Sequence, residues 1–265
     1  MHVAFRVLSA AVAFCCGVAC DAAVLVRLGY ADVESYPYQV GNGDTMAKPP
    51  GISIEVIRQA ADDLGIGLVF QRFPAKRLPV EMKAGRIDGA FIFSYSDERR
   101  GFARYPMRDG HVDAARRVAR LGYYLYRLRG DTPDWNGEWF SGLKGAVGAN
   151  AGFAIVNDLK RFGLTVDEAK SVEQNFTKLK MHRVAAVVAQ DLTADAWLAQ
   201  AGLSDIEKVA MPIEEADYFL VFNPAFAGSN AGLVERFWNR IGEIRDRKTR
   251  QVLPTYLKQR RDAVQ

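Results

Sequence analysis

Apolar positions along the chain follow two periods in turn. Residues 23–29 form a short, mostly apolar run ended by Gly29, the mark of a buried strand. Residues 30–50 are rich in Tyr, Pro, Gly and Asn and show no helical period. They predict a long loop, and such loops in compact domains commonly carry function. Ser53 is suited to cap a helix over 53–64, with Ile54, Ile57, Ala61 and Leu64 on one face and Gly65 as its stop. A strand follows at 67–70, then a short helix over 77–84 with Pro79 in its first turn and Leu78 and Met82 inward. Residues 87–93 read as a strand apolar on both faces. This alternation predicts a mostly parallel sheet covered by helices.

After Ser94 the pattern loosens. Residues 94–108 read as a loop with a helical turn near Asp97, Glu98 and Arg99, capped by Ser96. Residues 111–120 fit no element, 123–128 predict a strand and 131–143 a loop. The alternation then restarts, with a strand at 145–148, helices at 152–162 and 171–181, a strand at 183–189, a helix at 191–201 and a strand at 218–222. Ser229 and Asn230 are placed to cap a last long helix with Leu233, Phe237, Trp238, Ile241 and Ile244 on its inner side. The charged tail from Arg245 keeps Val252, Leu253, Tyr256 and Leu257 as apolar docking points. Residues 84–91 and 181–188 echo each other as helix exit, arginine and apolar strand. Two similar α/β lobes fit this better than one continuous sheet, with the joint near 105–130.

Composition places the chain. Residues 7–19 carry no charge and follow Arg6, too short a stretch to span a bilayer as an ordinary helix but the length of an export signal's apolar core. Removal of 1–22 is expected, which implies a protein that acts outside the cytoplasm. The three cysteines, Cys15, Cys16 and Cys20, all lie in this segment, so the remainder has no disulfide, thiol nucleophile or thiolate metal site. Lipidation at Cys20 is disfavoured by Gly17, which stands where a large apolar residue is wanted. The net charge of +4, from 35 Lys+Arg against 31 Asp+Glu, is spread along the chain and lacks the concentrated basic patch of a nucleic-acid binder. His111 and His182 show no paired metal spacing, and neither a G-x-S-x-G elbow nor a P-loop is present. No cofactor, metal or nucleic-acid partner is expected.

Several landmarks together resemble the family-3 extracellular solute-binding proteins, the amino-acid-type receptors of ABC importers. They are the aromatic-proline loop Ser35-Tyr36-Pro37-Tyr38, the glycine and amphipathic helix from Gly51, and the step from Leu78 to Asp88. The turn Ser94-Tyr95-Ser96-Asp97-Glu98-Arg99 and the opening Leu143-Lys144-Gly145-Ala146-Val147-Gly148 complete the set. The resemblance implies a two-lobed α/β fold of the type II periplasmic-binding-protein kind, each lobe a mostly parallel sheet flanked by helices. Lobe 1 would be 23–118 plus 223–265 and lobe 2 would be 128–216, with hinge crossings near 119–127 and 217–222. It implies a monomeric, non-enzymatic periplasmic protein that captures a small solute and presents it to a membrane permease. A sensing or accessory role is the alternative, and a dehydratase-like enzyme on the same fold is a further one.

The same resemblance assigns candidate ligand contacts. Arg99 would hold a carboxylate, which its planar, permanently charged fork of donors matches. Phe93 and Ser94 stand at the strand exit beside it. Tyr36 or Tyr38 would pack on the ligand's apolar part, and Asp32 or Glu34 would meet an ammonium group. In lobe 2 the family's glycine-threonine pair is replaced by Asn150-Ala151-Gly152-Phe153, which lacks the hydroxyl, although Asn150 and backbone N–H groups near Gly152 and Phe153 remain. The family's amino-group aspartate corresponds to Gln190 or Asp191, and if Gln190 takes that place an α-ammonium loses its charged partner.

Overall fold

The computed structural model describes residues 24–262. The expected leader over 1–22, Cys20 included, lies outside the described residues. The first half contains strand β1 (Leu25–Ala31), helix α1 (Ile52–Asp62), β2 (Gly67–Phe73), a 3-10 turn at Ala75–Arg77, α2 (Leu78–Lys83), β3 (Gly89–Ser94) and α3 (Asp97–Arg100). A small hairpin of β4 (Met107–Arg108) and β5 (His111–Val112) leads to the long strand β6 (Ala119–Leu128). A second hairpin, β7 (Asp134–Trp135) and β8 (Phe140–Ser141), follows. Then come β9 (Val147–Asn150), α4 (Ile155–Arg161), β10 (Val166–Ala169), α5 (Val172–Lys180), β11 (Ala186–Gln190), α6 (Asp191–Ala201) and β12 (Ile206–Lys208). The long strand β13 (Glu214–Phe222) returns to α7 (Pro224–Ser229) and α8 (Ala231–Asp262).

Hydrogen bonding links the strands in the order β10-β9-β11-β6-β13-β3-β1-β2, with β12 also on β6. The outer pairs are parallel, and every pairing made by β6 or β13 is antiparallel. The two halves are therefore hydrogen-bonded into one sheet rather than standing as separate ones. The cause is the length of the crossing strands: β6 uses residues 119–123 against β13 and 123–126 against β11, while β13 continues onto β3. Both begin several residues before the apolar runs at 123–128 and 218–222. The first half of β13 is polar, and Arg120 of β6 pairs with its Glu215 at 3.2 Å.

The cores divide along the same line. One cluster joins β1, α1 and α8 through Val26, Leu28, Ile54, Ile57, Phe237 and Ile241, and a second packs Leu78, Met82, Ile87 and Phe93 against Phe219. On the other side Leu125, Val147, Leu159 and Val188 form one cluster, and Tyr126, Phe176, Leu179 and Leu198 another. Helix α8 is fixed to the sheet by Trp238, whose indole N–H donates to the Leu220 carbonyl at 2.7 Å. Of the tail's docking points Tyr256 is fully buried, whereas Leu257 is exposed.

Local corrections have simple causes. Ser53 does not cap α1: it is buried inside the helix, and Gly51 takes the cap position with φ 121°. A side chain there is impossible, since a Cβ on Gly51 would stand 2.4 Å from the Tyr38 carbonyl oxygen. The helix expected from 152 begins at Ile155, because Gly152 turns the chain left-handed with φ 80°. Strand β10, which is only half-buried, and the two hairpins were not legible as apolar runs. Ser96 caps α3 as expected, accepting from the Arg99 N–H, and Ser171 is found to cap α5, accepting from the Gln174 N–H. Among the described residues no helix is long and apolar enough to cross a membrane.

Candidate functional site

A cavity opens between the two halves where β6 and β13 cross. It is lined by Ala31, Ser35, Gln39, Ala75, Leu78, Pro79, Ile92, Phe93 and Arg99 from the first half and by Gly152, Phe153, Ala154 and Gln190 from the second, with Tyr123 and Tyr218 on the crossing strands. The centres of water-sized molecules have about 80 Å³ to occupy. A single water needs about 10–15 Å³ on that measure, so the space suits a compact solute.

Arg99 enters from α3. Its Nη1 donates to the Ser94 carbonyl at 3.1 Å and to Ser94 Oγ at 2.9 Å, and its guanidinium lies 5.2 Å over the centre of the Phe93 ring. The Tyr105 hydroxyl donates to the same Ser94 carbonyl at 2.8 Å. Among the described residues Arg99 forms no ion pair; Arg100, not Arg99, faces Asp97, at 3.8 Å. The guanidinium is thus oriented by neutral groups and keeps its charge for the cavity.

Phe93 and Ile92 are neighbours in β3, and neighbours in a regular strand point to opposite faces. Both reach the cavity because β3 is bulged. Residues 90 and 93 of β3 face residues 221 and 219 of β13, so β3 holds one extra residue, and Ile92 adopts φ 59° there. A β-branched residue in that region is strained, and bulges re-aim side chains near functional sites.

The crossing strands supply two buried phenols. The Tyr123 hydroxyl accepts from Gln190 Nε2 at 3.2 Å, and burial pushes its pKa up to about 12. Tyr218 is 3% exposed, and its hydroxyl has no hydrogen-bond partner of acceptable geometry, although Tyr123 is adjacent. Burial pushes its pKa well above the ordinary value, so the hydroxyl keeps its proton as a free donor. Behind the phenols Glu214 faces Tyr123 across the strands. Burial first, and the Asp158 carboxylate second, raise its pKa to about 7.

The halves are also bonded to each other around the cavity. The Ser35 hydroxyl donates to Gln190 Oε1, and the Thr193 hydroxyl donates to the Tyr36 carbonyl at 3.0 Å. Lys76 meets Glu168 at 2.8 Å and Lys170 meets Asp32 at 3.3 Å. Gly152 lies against the 3-10 turn so closely that a Cβ would stand 2.9 Å from Lys76 Cγ. The cleft is therefore shut.

Of the residues singled out from sequence, Arg99, Phe93, Gly152, Phe153 and Gln190 come together in this cavity. Ser94 lies one layer behind and holds Arg99. Tyr36 points away, its hydroxyl donating to the Tyr256 carbonyl in the α1–α8 core, and Tyr38 donates to the Arg120 carbonyl at 3.3 Å. Glu34 accepts from the Gly41 N–H at 2.8 Å. Asn150 accepts from Asn175 Nδ2 at 2.8 Å and borders a small adjoining pocket. The Asp191 carboxylate accepts from the Leu192 N–H at 2.7 Å, and Gln190 rather than Asp191 lines the cavity. Sequence reasoning missed Ser35, Gln39, Tyr123 and Tyr218. Ser35 belongs to the aromatic-proline loop and both phenols to the crossing strands, but no spacing in the sequence singles them out.

No protein-family profile matches the chain, and no curated protein matches it by sequence. Solved structures do match in fold. The GluR0 ligand-binding core from Nostoc punctiforme in complex with L-glutamate aligns with a TM-score of 0.66 at 18% identity, over 86% of this chain and 96% of that one. The substrate-binding protein of an amino acid ABC transporter aligns at 0.67 and 15%, over 88% and 99%. A histidine kinase sensor domain with similarity to periplasmic binding proteins aligns at 0.68 and 14%, over 87% and 94%. At such identities the likeness concerns the fold: this chain has the two-lobed α/β architecture of the periplasmic binding proteins.

Proposed function

We propose that the protein is an exported solute receptor that captures a small carboxylate-bearing molecule between its lobes, without chemical turnover. The observation that carries this reading is the Arg99 guanidinium, which is oriented by Ser94 and lacks a protein anion, in a shut interlobe cavity. Arg99 is half-buried, and a partly desolvated cation without an ion-pair partner is costly; a ligand carboxylate would relieve that cost through a charge-assisted fork. Tyr218 offers a second donor on the opposite wall. Contacts from both halves make binding and closure one event, since a ligand that touches both shifts the population toward the shut form. In this reading lobe 1 is 23–118 with 223–265, lobe 2 is 128–216, and 119–127 and 217–222 form the hinge.

Presentation of the closed form to an ABC importer is the reading favoured by the likeness to an amino acid transporter's substrate-binding protein. Sensing is the second reading, favoured by the likeness to a histidine kinase sensor domain. A thermal-shift screen of organic acids, amino acids, amines and neutral sugars tests the common core. Carboxylates should raise Tm, and Arg99→Ala should abolish the shift while a surface variant such as Glu138→Ala retains it. Stabilisation by amines or sugars alone, or an Arg99→Ala protein that binds as before, would overturn the reading. Uptake of a radiolabelled hit that stops when the gene is deleted would assign import rather than sensing.

A further inference from the structure

The cavity holds a charge on one side only. Arg99 is the single charged side chain among the residues that line it, and the remaining polar groups are the neutral Ser35, Gln39, Gln190, Tyr123 and Tyr218. The acids nearest along the chain are committed elsewhere. Asp32 faces Lys170 at 3.3 Å, Glu34 accepts from the Gly41 N–H and Asp191 from the Leu192 N–H. Glu214 stands behind the phenols and feels the Arg99 charge, but it does not line the cavity and borders a separate surface pocket with Asp158 and Arg161.

Gln190 is already spent as well. Its Oε1 accepts from Ser35 and its Nε2 donates to Tyr123, so the amide serves the lobe-to-lobe contact. The rest of the wall is apolar, built from Leu78, Pro79, Ile92, Phe93 and Phe153. An ammonium group carried into this space would give up its hydration and meet no anion, which is strongly unfavourable in a dry site. A carboxylate would meet Arg99 and the free Tyr218 hydroxyl.

From this distribution we infer that the ligand is an organic carboxylate with an apolar body and no α-ammonium group, and that the site discriminates against the matching amino acid. This rests on the receptor reading above and narrows it. It also sets this chain apart from its fold neighbours that bind L-glutamate or L-arginine.

Matched pairs test it by calorimetry on the full mature protein: propanoate against alanine, 4-methylpentanoate against leucine, and 3-phenylpropanoate against phenylalanine. The expected result is that at least one acid binds tenfold or more tighter than its amino acid. Gln190→Glu, which keeps the side-chain shape and adds an anion, should narrow that ratio at least tenfold. Gln190→Ala removes the amide and its contacts to Ser35 and Tyr123 without adding charge, so it should weaken both members of a pair together while the ratio still favours the acid. The exposed Glu138→Ala is the control that should change neither affinity. An amino acid that binds as tightly as its acid, or tighter, overturns this inference while leaving the carboxylate receptor standing. Binding of neither member of any pair, with amines or sugars binding instead, overturns both. A Gln190→Glu protein that folds and binds with an unchanged ratio also overturns the inference.

Discussion

Glu214 shows how one half-buried group sets a solution property. Unfolded, its carboxyl ionises near the ordinary 4.5; folded, burial and the neighbouring Asp158 raise that to about 7. Arg99 and Arg161 oppose the shift without cancelling it. Between those values folding takes up a proton, so the contribution to stability is complete below about 4.5 and is lost as pH climbs through about 7. We predict that Tm falls from pH 5 to pH 8, and that Glu214→Gln flattens the profile and raises Tm at pH 8. Parallel profiles for the two proteins in thermal melts would refute this. Nothing in Pro212-Ile213-Glu214-Glu215 distinguishes Glu214 from its neighbour in sequence, because the difference lies in burial: Glu215 is exposed and pairs with Arg120. Arg99 was legible because its turn carries a motif, whereas Tyr123 and Tyr218 gain their roles only through the crossing that brings β6 and β13 side by side.

At the scale of elements, the junction between β9 and α4 is decided by Gly152. Its φ of 80° delays α4 to Ile155 and lays the backbone against the 3-10 turn of the other half. Gly152→Ala should cost about 1 kcal/mol through the left-handed backbone alone. Its larger effect should be on binding, because the added Cβ would strike Lys76 and Ala75 only when the halves approach. An affinity loss on the order of tenfold, or about 1.4 kcal/mol, is expected beside a small change in Tm. Equal affinity for variant and parent would show that the cleft shuts some other way. Elements with strong apolar periods, such as α1 and α5, could be read directly; α6 spans Asp191–Ala201 as expected although its apolar residues are spread around the helix. Strand β10 could not, since Val166-Asp167-Glu168-Ala169 is half-buried and acquires strand character from pairing with β9. The bulge in β3 was equally hidden, because it arises from the register against β13.

For the molecule as a whole, two ion pairs span the cleft away from the cavity, Lys76 with Glu168 and Lys170 with Asp32. Both lysine side chains are more than 60% exposed, at 64% and 62%. Exposed pairs are each worth about 0.2–1 kcal/mol, so they bias the open–closed equilibrium without dictating it. They act only in the closed form, and a ligand that requires closure inherits their contribution. The double variant Lys76→Ala/Lys170→Ala should therefore bind about two- to thirtyfold more weakly than the parent at low salt. High salt should weaken the parent toward the variant, since screening shortens the reach of charge to about 3 Å at 1 M. The variant's own affinity should change less with salt, since Arg99 lies within the shut cavity where screening is weak. Titrations at low and high ionic strength separate the two contributions. Identical salt dependence in parent and variant would remove the cross-cleft pairs from the account of closure and leave it to the neutral contacts of Ser35 with Gln190 and of Thr193 with the Tyr36 carbonyl.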